Sequence, residues 1–368
     1  MLLALKACVL LGTLGSVFAG TPIPKDKHKT YYLQQSCYNR EEFVFNDLDR
    51  AFKNAGEVLR RAKAKDDKDF AEVFELVFNV HPHDSEDAKA VKKILKPFQD
   101  MSVMLPVSWD DRKSADVRIM CDNDPVEDEN DPKTKGARWV RHGSGFVDLV
   151  NMMWSNEIPC CHSEGFAGCT DTKTYSPGSS GENPNRVVIS LCARSWERSD
   201  TFQTPLHVTD ELSKRDFLAE KQGIRHLGFL ISYHLVHEFM HALDGEIEDL
   251  PSRDQAYGWP NVLAHNKDIS SKNADNYAFL SLWAMVANWG WTLPRTVPTP
   301  DITDKCKIIQ YVKDAKAGIQ AGMMVKYKDI THPGTTVVNR RRLRKTAQSR
   351  RIRRFLEEGT NFIRPIDS

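Results

Sequence analysis

Two short β-branched runs set inside helix-patterned sequence constrain this chain most. Residues 117–120 and 186–191, the latter Arg-Val-Val-Ile-Ser-Leu, each end at a cysteine, Cys121 and Cys192, and runs of this kind read as strands. Ahead of them, Phe45, Leu48, Phe52, Ala55, Leu59 and Ala62 recur in steps of three and four, which marks one face of an amphipathic helix of about five turns. Phe70, Val73, Phe74, Val77 and Phe78 predict a second helix, and residues 88–98, capped by Asp84 or Ser85, a third. A longer helical pattern runs from about 210 to 243 and is stopped by Gly245, and one more helix is expected near 305–319. An acidic loop at 122–131 and a Ser/Gly/Pro/Asn-rich loop at 176–185 lie between the strands. Strands embedded among helices, without an internal repeat, predict an α+β chain.

The N-terminus carries an export pattern. Lys6 precedes an apolar run over 7–18, and Val17-Phe18-Ala19 supplies the small-x-small site a signal peptidase reads. The run is shorter than the ~20 apolar residues a membrane helix needs, and the best later candidate, 280–291, is interrupted by Asn288 and Gly290. The chain is therefore expected to be secreted, extracellular and not membrane-spanning, in a compartment that permits disulfides. Beyond Cys8, seven cysteines remain: Cys37, Cys121, Cys160, Cys161, Cys169, Cys192 and Cys306. An odd number leaves at least one without an intramolecular partner. Adjacent Cys160 and Cys161 each look elsewhere for a partner, and in an exported chain disulfides are expected over a metal knuckle at Cys160-Cys161-His162 with Cys169.

Of 368 residues, 51 are Lys or Arg and 50 Asp or Glu, a net charge near zero that argues against a specific nucleic-acid binder. The sum hides an asymmetry. Residues 340–354 hold eight arginines and Lys345 with no acid; without these nine the balance is 42 basic against 50 acidic. The body is acidic and the tail basic, so an anionic surface or polymer is a partner the tail suits.

Within the long helical pattern the chain reads His234-Leu235-Val236-His237-Glu238-Phe239-Met240-His241. On a helix His237 and His241 lie one turn apart on the same face, spaced to give imidazole nitrogens to one zinc ion, and Glu238 projects beside them where a carboxylate can take a proton from water. A catalytic zinc takes three protein ligands and leaves a fourth position open. A third histidine six residues on is ruled out by Ile247, and after Glu246 and Glu248 no glutamate follows until Glu357. His265 lacks supporting context, which leaves Asp244, Asp249, Asp254, Asp268 and Asp275. Asp244, three residues after His241 on the same helix, cannot easily turn back. His234, one turn before His237, reads as a supporting or core histidine, because a fourth protein ligand closes the site to water. His81 and His83, around Pro82, read as turn residues.

Asp254-Gln255-Ala256-Tyr257-Gly258 resembles the D-x-x-Y-G segment of the deuterolysin, or aspzincin, family of fungal secreted metalloendopeptidases. Asn273-Ala274-Asp275-Asn276-Tyr277, the strand 187–192 ahead of the helix and the export signal resemble the same family, over roughly 116–291. The resemblance implies a zincin-like fold, with a small mixed sheet packed on the active-site helix. It also implies one catalytic Zn2+ held by His237, His241 and Asp254, with Glu238 as general base and Tyr257 as oxyanion donor. The chain departs from the family at Leu250-Pro251, where Gly-Thr is usual, and at Ala278-Phe279, where lysine-specific relatives carry carboxylates.

The expected organisation is a signal peptide at 1–19 and a mainly helical region at 20–110, either a pro-segment or part of the catalytic unit. A zincin-like catalytic domain at 111–335 and a basic tail at 336–368 follow. The expected activity is hydrolysis of peptide bonds in protein or peptide substrates. The alternative is a catalytically silent secreted zinc-fold binding protein or effector acting through its tail; an intact Glu238 argues against it, since a binding protein has no need of the base.

Overall fold

The computed structural model describes residues 29–163, 165–173, 185–196, 206–220, 222–293 and 322–326. The expected signal segment, the helix expected near 305–319, Cys306 and the basic tail lie outside the described residues. β1 (Thr30–Leu33) leads into α1 (Glu41–Lys63), α2 (Lys68–Phe78), α3 (Ala88–Ser102), β2 (Leu105–Pro106) and β3 (Val117–Met120). A meander of β4 (Trp139–His142), β5 (Gly145–Asp148) and β6 (Met153–Ser155) precedes β7 (Gly168–Asp171) and β8 (Val187–Leu191). Then come α4 (Asp210–Lys214), α5 (Ile231–Leu243), α6 (Arg253–Ala256), α7 (Trp259–Ala264), α8 (Lys267–Ser270), α9 (Ala274–Asn288), β9 (Trp291–Thr292) and β10 (Val325–Lys326).

The fold is mixed α and β around a small mixed sheet in the order β2-β1-β3-β8-β7. β2, β1, β3 and β8 run parallel, while β7 pairs antiparallel with β8, Gly168 opposite Leu191 and Asp171 opposite Val188. Every residue of β3 and β8 is buried, as expected of a parallel sheet covered on both faces. One face packs on α5. The other is covered by the β4-β5-β6 meander, whose Trp139, Phe146 and Met153 close on Met120 and Val188. Arg138 ties the acidic loop to this meander through Asp122, Asp124 and Asp148.

The first three helices form as the periodicity predicts, because their apolar faces all have somewhere to go. α1 lays Leu48, Phe52 and Ala55 into the core, with the Phe52 ring edge-on to Phe239 of α5 at 5.4 Å. The N-cap position of α3 is Asp87, not Asp84 or Ser85; Asp84 instead accepts the backbone N–H of Glu86 within the preceding turn. α9 is buried from Ala274 through Ala287, so its all-round apolar sequence is that of a central core helix. No helix among the described residues is long and apolar enough to cross a membrane.

The single helical pattern expected over 210–243 is a misreading. It divides into α4, a 3-10 turn over Ile224–Phe229 and α5, with Leu230 in extended conformation between the last two. Glycines at 223 and 228 weaken a continuous helix by about 1 kcal/mol each. The N–H of Ile224 is taken by the carbonyl of Gly322 at 2.7 Å, a partner 98 residues away that periodicity cannot see. The later boundary at Leu243 stands.

Residues 29–110 are structurally part of the same unit. β1 lies inside the sheet between β2 and β3, α1 packs against α3, α5 and α9, and one hydrophobic cluster includes Tyr31, Phe74, Phe98, Phe239 and Trp283. Three disulfides join described cysteines: Cys37–Cys121, Cys160–Cys169 and Cys161–Cys192. The first spans 84 residues and pins the segment after β1 to the end of β3. Replacing both Cys37 and Cys121 with Ala is expected to lower unfolding free energy by about 2–5 kcal/mol, since a long-range bridge restricts the unfolded chain. A urea titration of the variant beside the parent measures this.

Candidate metal centre

α5 presents His237 and His241 on one face, as their spacing requires, with the ring centroids 4.9 Å apart and the two Nε2 atoms 3.2 Å apart. Each ring is oriented through its other nitrogen. His237 Nδ1 meets Asp275 Oδ1 at 3.0 Å, and His241 Nδ1 meets the carbonyl oxygen of Ile247 at 2.8 Å. A carboxylate and a carbonyl only accept, so both Nδ1 atoms carry the proton and the Nε2 atoms are left to act as ligands.

The third donor at this site is Asp249, and the expected ligand Asp254 is not brought to it. Asp249 Oδ1 lies 3.2 Å from His237 Nε2 and 3.5 Å from His241 Nε2. Asp254 is exposed on the one-turn helix α6, where its carbonyl accepts from Asn261 Nδ2. The reason lies in how the chain returns after α5. Glu248 pairs with Asn273 in a short parallel bridge, its N–H going to the Lys272 carbonyl at 2.7 Å and its carbonyl accepting from Ala274 at 3.2 Å. Leu250 N–H is held by Asn273 Oδ1 at 3.2 Å. This pairing clamps the residue between, Asp249, against α5 and lets the chain move away before Asp254.

Three donor atoms with edges of 3.2, 3.2 and 3.5 Å fit a tetrahedral zinc, whose ligands at ~2.0–2.1 Å from the ion stand about 3.3 Å apart. Asp249 Oδ1 is buried and accepts no aligned hydrogen bond. Two imidazole lone pairs and a carboxylate oxygen turned toward one another repel unless a cation lies between them. The residues present therefore fit the metal. The field agrees: against its burial, the neighbouring carboxylates of Asp249 and Asp275 hold His237 well above its ordinary range, so this place favours positive charge, as a proton or as a cation. Burial pushes Asp249 up, yet His237 and His241 outweigh it and hold the carboxyl below the usual range.

Asp275 binds the surroundings together. It accepts from Tyr233 Oη at 2.6 Å and from the Gly258 N–H at 2.6 Å besides His237. Gly258 has φ of 89°, which a residue without Cβ adopts freely. The asparagines of the same segment are structural: Asn276 Nδ2 donates to the Val77 carbonyl at the end of α2, and Asn273 Nδ2 to the Ala256 carbonyl.

Tyr257 stacks on His237 with centroids 5.5 Å apart, and its hydroxyl donates to Asp249 Oδ2 at 2.6 Å. Burial and the adjacent carboxylate push its phenol up, so it stays a donor. Glu238 is buried and its Oε2 accepts from Thr170 Oγ1 of β7 at 2.7 Å. Burial and the neighbouring His237 push His234 down to about 4, leaving a neutral ring beside the site. His265 is buried and satisfied by Asn276 and the Gln255 carbonyl, away from the metal donors. Near Glu238, burial and the charge of Asp124 push Asp171 up to about 7. Sequence gave no sign of Thr170 or Tyr233. Asp249 and Asp275 stand among the available aspartates, and Asp275 falls in the Asn273–Tyr277 segment, but nothing local singles out Asp249.

No protein-family model matches the chain, and no curated protein is detectably similar to it in sequence.

Proposed function

We propose that the protein is a secreted zinc-dependent metalloendopeptidase with a zincin-like catalytic unit, akin to the deuterolysin or aspzincin family. The observation that carries this is the triangle of His237 Nε2, His241 Nε2 and Asp249 Oδ1 on and beside a helix that also offers Glu238. Among the described residues three donors meet here rather than four, which leaves a position for chemistry. Export is supported by the N-terminal pattern and by three disulfides.

When bound, zinc supplies Lewis acidity, polarising the scissile carbonyl and acidifying water. The chain's own residues supply the rest. Glu238 takes the proton of the attacking water on its carboxylate and returns it to the leaving amine. Asp275 and the Ile247 carbonyl hold the two imidazoles in the tautomer that coordinates. The Tyr257 hydroxyl fixes Asp249 in the geometry described and, released from it, is within the site to donate to a developing oxyanion. β7 ends the sheet next to Glu238, and an extended peptide pairs naturally with such an edge. This supports protein or peptide substrates, and the cationic tail suits an anionic surface.

Treating the purified protein with 1,10-phenanthroline is expected to abolish cleavage of an unfolded protein substrate, and zinc is expected to restore it, with about one zinc per chain by mass spectrometry of the metal. Cleavage indifferent to the chelator, or a chain that takes up no zinc, rejects the proposal.

A further inference from the structure

We infer that strand β7 is the template that sets the Glu238 carboxylate, with Thr170 a positioning residue for the base and Gly168 the space it occupies; this rests on the peptidase proposed above. Residues two apart on a strand face the same way, so Gly168 and Thr170 both look onto α5 while Cys169 looks away. Thr170 Oγ1 lies 2.7 Å from Glu238 Oε2 and 3.1 Å from the Glu238 carbonyl, so its single proton is shared between side chain and helix backbone. At Gly168, a Cβ would stand 2.9 Å from Glu238 Oε1 and 3.2 Å from its Cγ. One oxygen is thus held by a hydroxyl, and the other packs so closely on a strand glycine that a Cβ there would force the Glu238 side chain to shift. Since Glu238 is itself buried, its carboxylate has little freedom to find another partner.

The strand that does this is anchored on its opposite side. Cys169, between the two contact residues, is bonded to Cys160, and Cys161 next to it is bonded to Cys192 at the end of β8. The two bridges fix β7 and β8 relative to one turn, so the template for Glu238 is tied covalently to the sheet and not only through the ladder. A base displaced by about 1 Å loses on the order of a hundred-fold in rate, because proton transfer needs hydrogen-bond geometry.

The test is steady-state kinetics and zinc content of the full chain carrying Thr170→Val, Thr170→Ser and Gly168→Ala. Thr170→Val keeps shape but removes the donor. It is expected to lower kcat by about 10–100-fold with KM and zinc content unchanged, while Thr170→Ser, which retains the hydroxyl, restores most of the rate. Gly168→Ala is expected to lower kcat likewise. In a Glu238→Ala background Thr170→Val should have no further effect, since residues acting as one unit are not additive. If the Val variant does not fold, Thr170→Ala serves with the same expectation. An active wild type whose Thr170→Val variant keeps its kcat, or whose Ser variant is as impaired as Val, overturns the inference and leaves the peptidase intact. A zinc-loaded wild type with no turnover overturns the peptidase and this role together.

Discussion

Glu238→Gln is expected to lower peptide hydrolysis by about a thousand-fold while zinc binding and folding stay at the parental level. The substitution keeps the side chain's size and its acceptor oxygen for Thr170, 2.7 Å away, so packing is preserved. It removes the charge and the ability to take a proton. Among the described residues the group that could hold a metal here is His237, His241 and Asp249, without Glu238, so metal content is not expected to follow activity. The comparison is made by measuring turnover on an unfolded protein substrate, metal content and thermal unfolding on the same preparations. Turnover retained within a few-fold would show that Glu238 is not the base. A parent that binds zinc, acts biologically and never cleaves peptide bonds would instead point to the zinc-fold binding protein.

Asp249→Ala and Asp254→Ala are expected to behave oppositely. Asp249 Oδ1 is the third corner of the donor triangle, and its Oδ2 accepts from Tyr257. Its loss removes a ligand outright, and the fall in zinc affinity should exceed the ~10–100-fold that follows loss of a group supporting a ligand. Activity should disappear at ordinary zinc concentrations, and excess zinc should restore only part of it. Asp254 is exposed on α6, and surface substitutions of this sort stay within about 0.5 kcal/mol in stability. Zinc content and turnover of Asp254→Ala should match the parent. The reverse pattern, with metal lost on replacing Asp254 and kept on replacing Asp249, would return the ligand to the aspartate that the D-x-x-Y-G resemblance implies.

That Asp249 rather than Asp254 lies against the two histidines has a physical cause. Spacing from His241 decides nothing once the helix ends at Leu243, because a loop of several residues can bring any of a handful of aspartates back. The deciding contact is backbone pairing between Glu248 and Asn273, which depends on where α9 begins. α9 in turn is placed by its all-round burial against α1, α2 and α5. Tyr257 was a candidate by its place after the aspartate, and the structure sets it beside the histidines, though its hydroxyl rests on Asp249. The broken helical pattern over 210–243 has a similar cause: a long-range partner for Ile224 outweighs local propensity.

What the sequence determined by itself was whatever depends on near neighbours. The amphipathic periods of α1 and α2, the two β-branched strands β3 and β8, and the stacking of His237 over His241 follow from the fixed geometry of one turn or one pleat. The need for each of the adjacent cysteines Cys160 and Cys161 to bond elsewhere was likewise local. Tertiary structure alone decided which carboxylate lies against the two histidines, which group orients each imidazole, and that a threonine and a glycine on β7 face Glu238. Those are meetings between segments tens of residues apart, and they are fixed by the packing of α9, α5 and the sheet around a shared core, which no window of sequence contains.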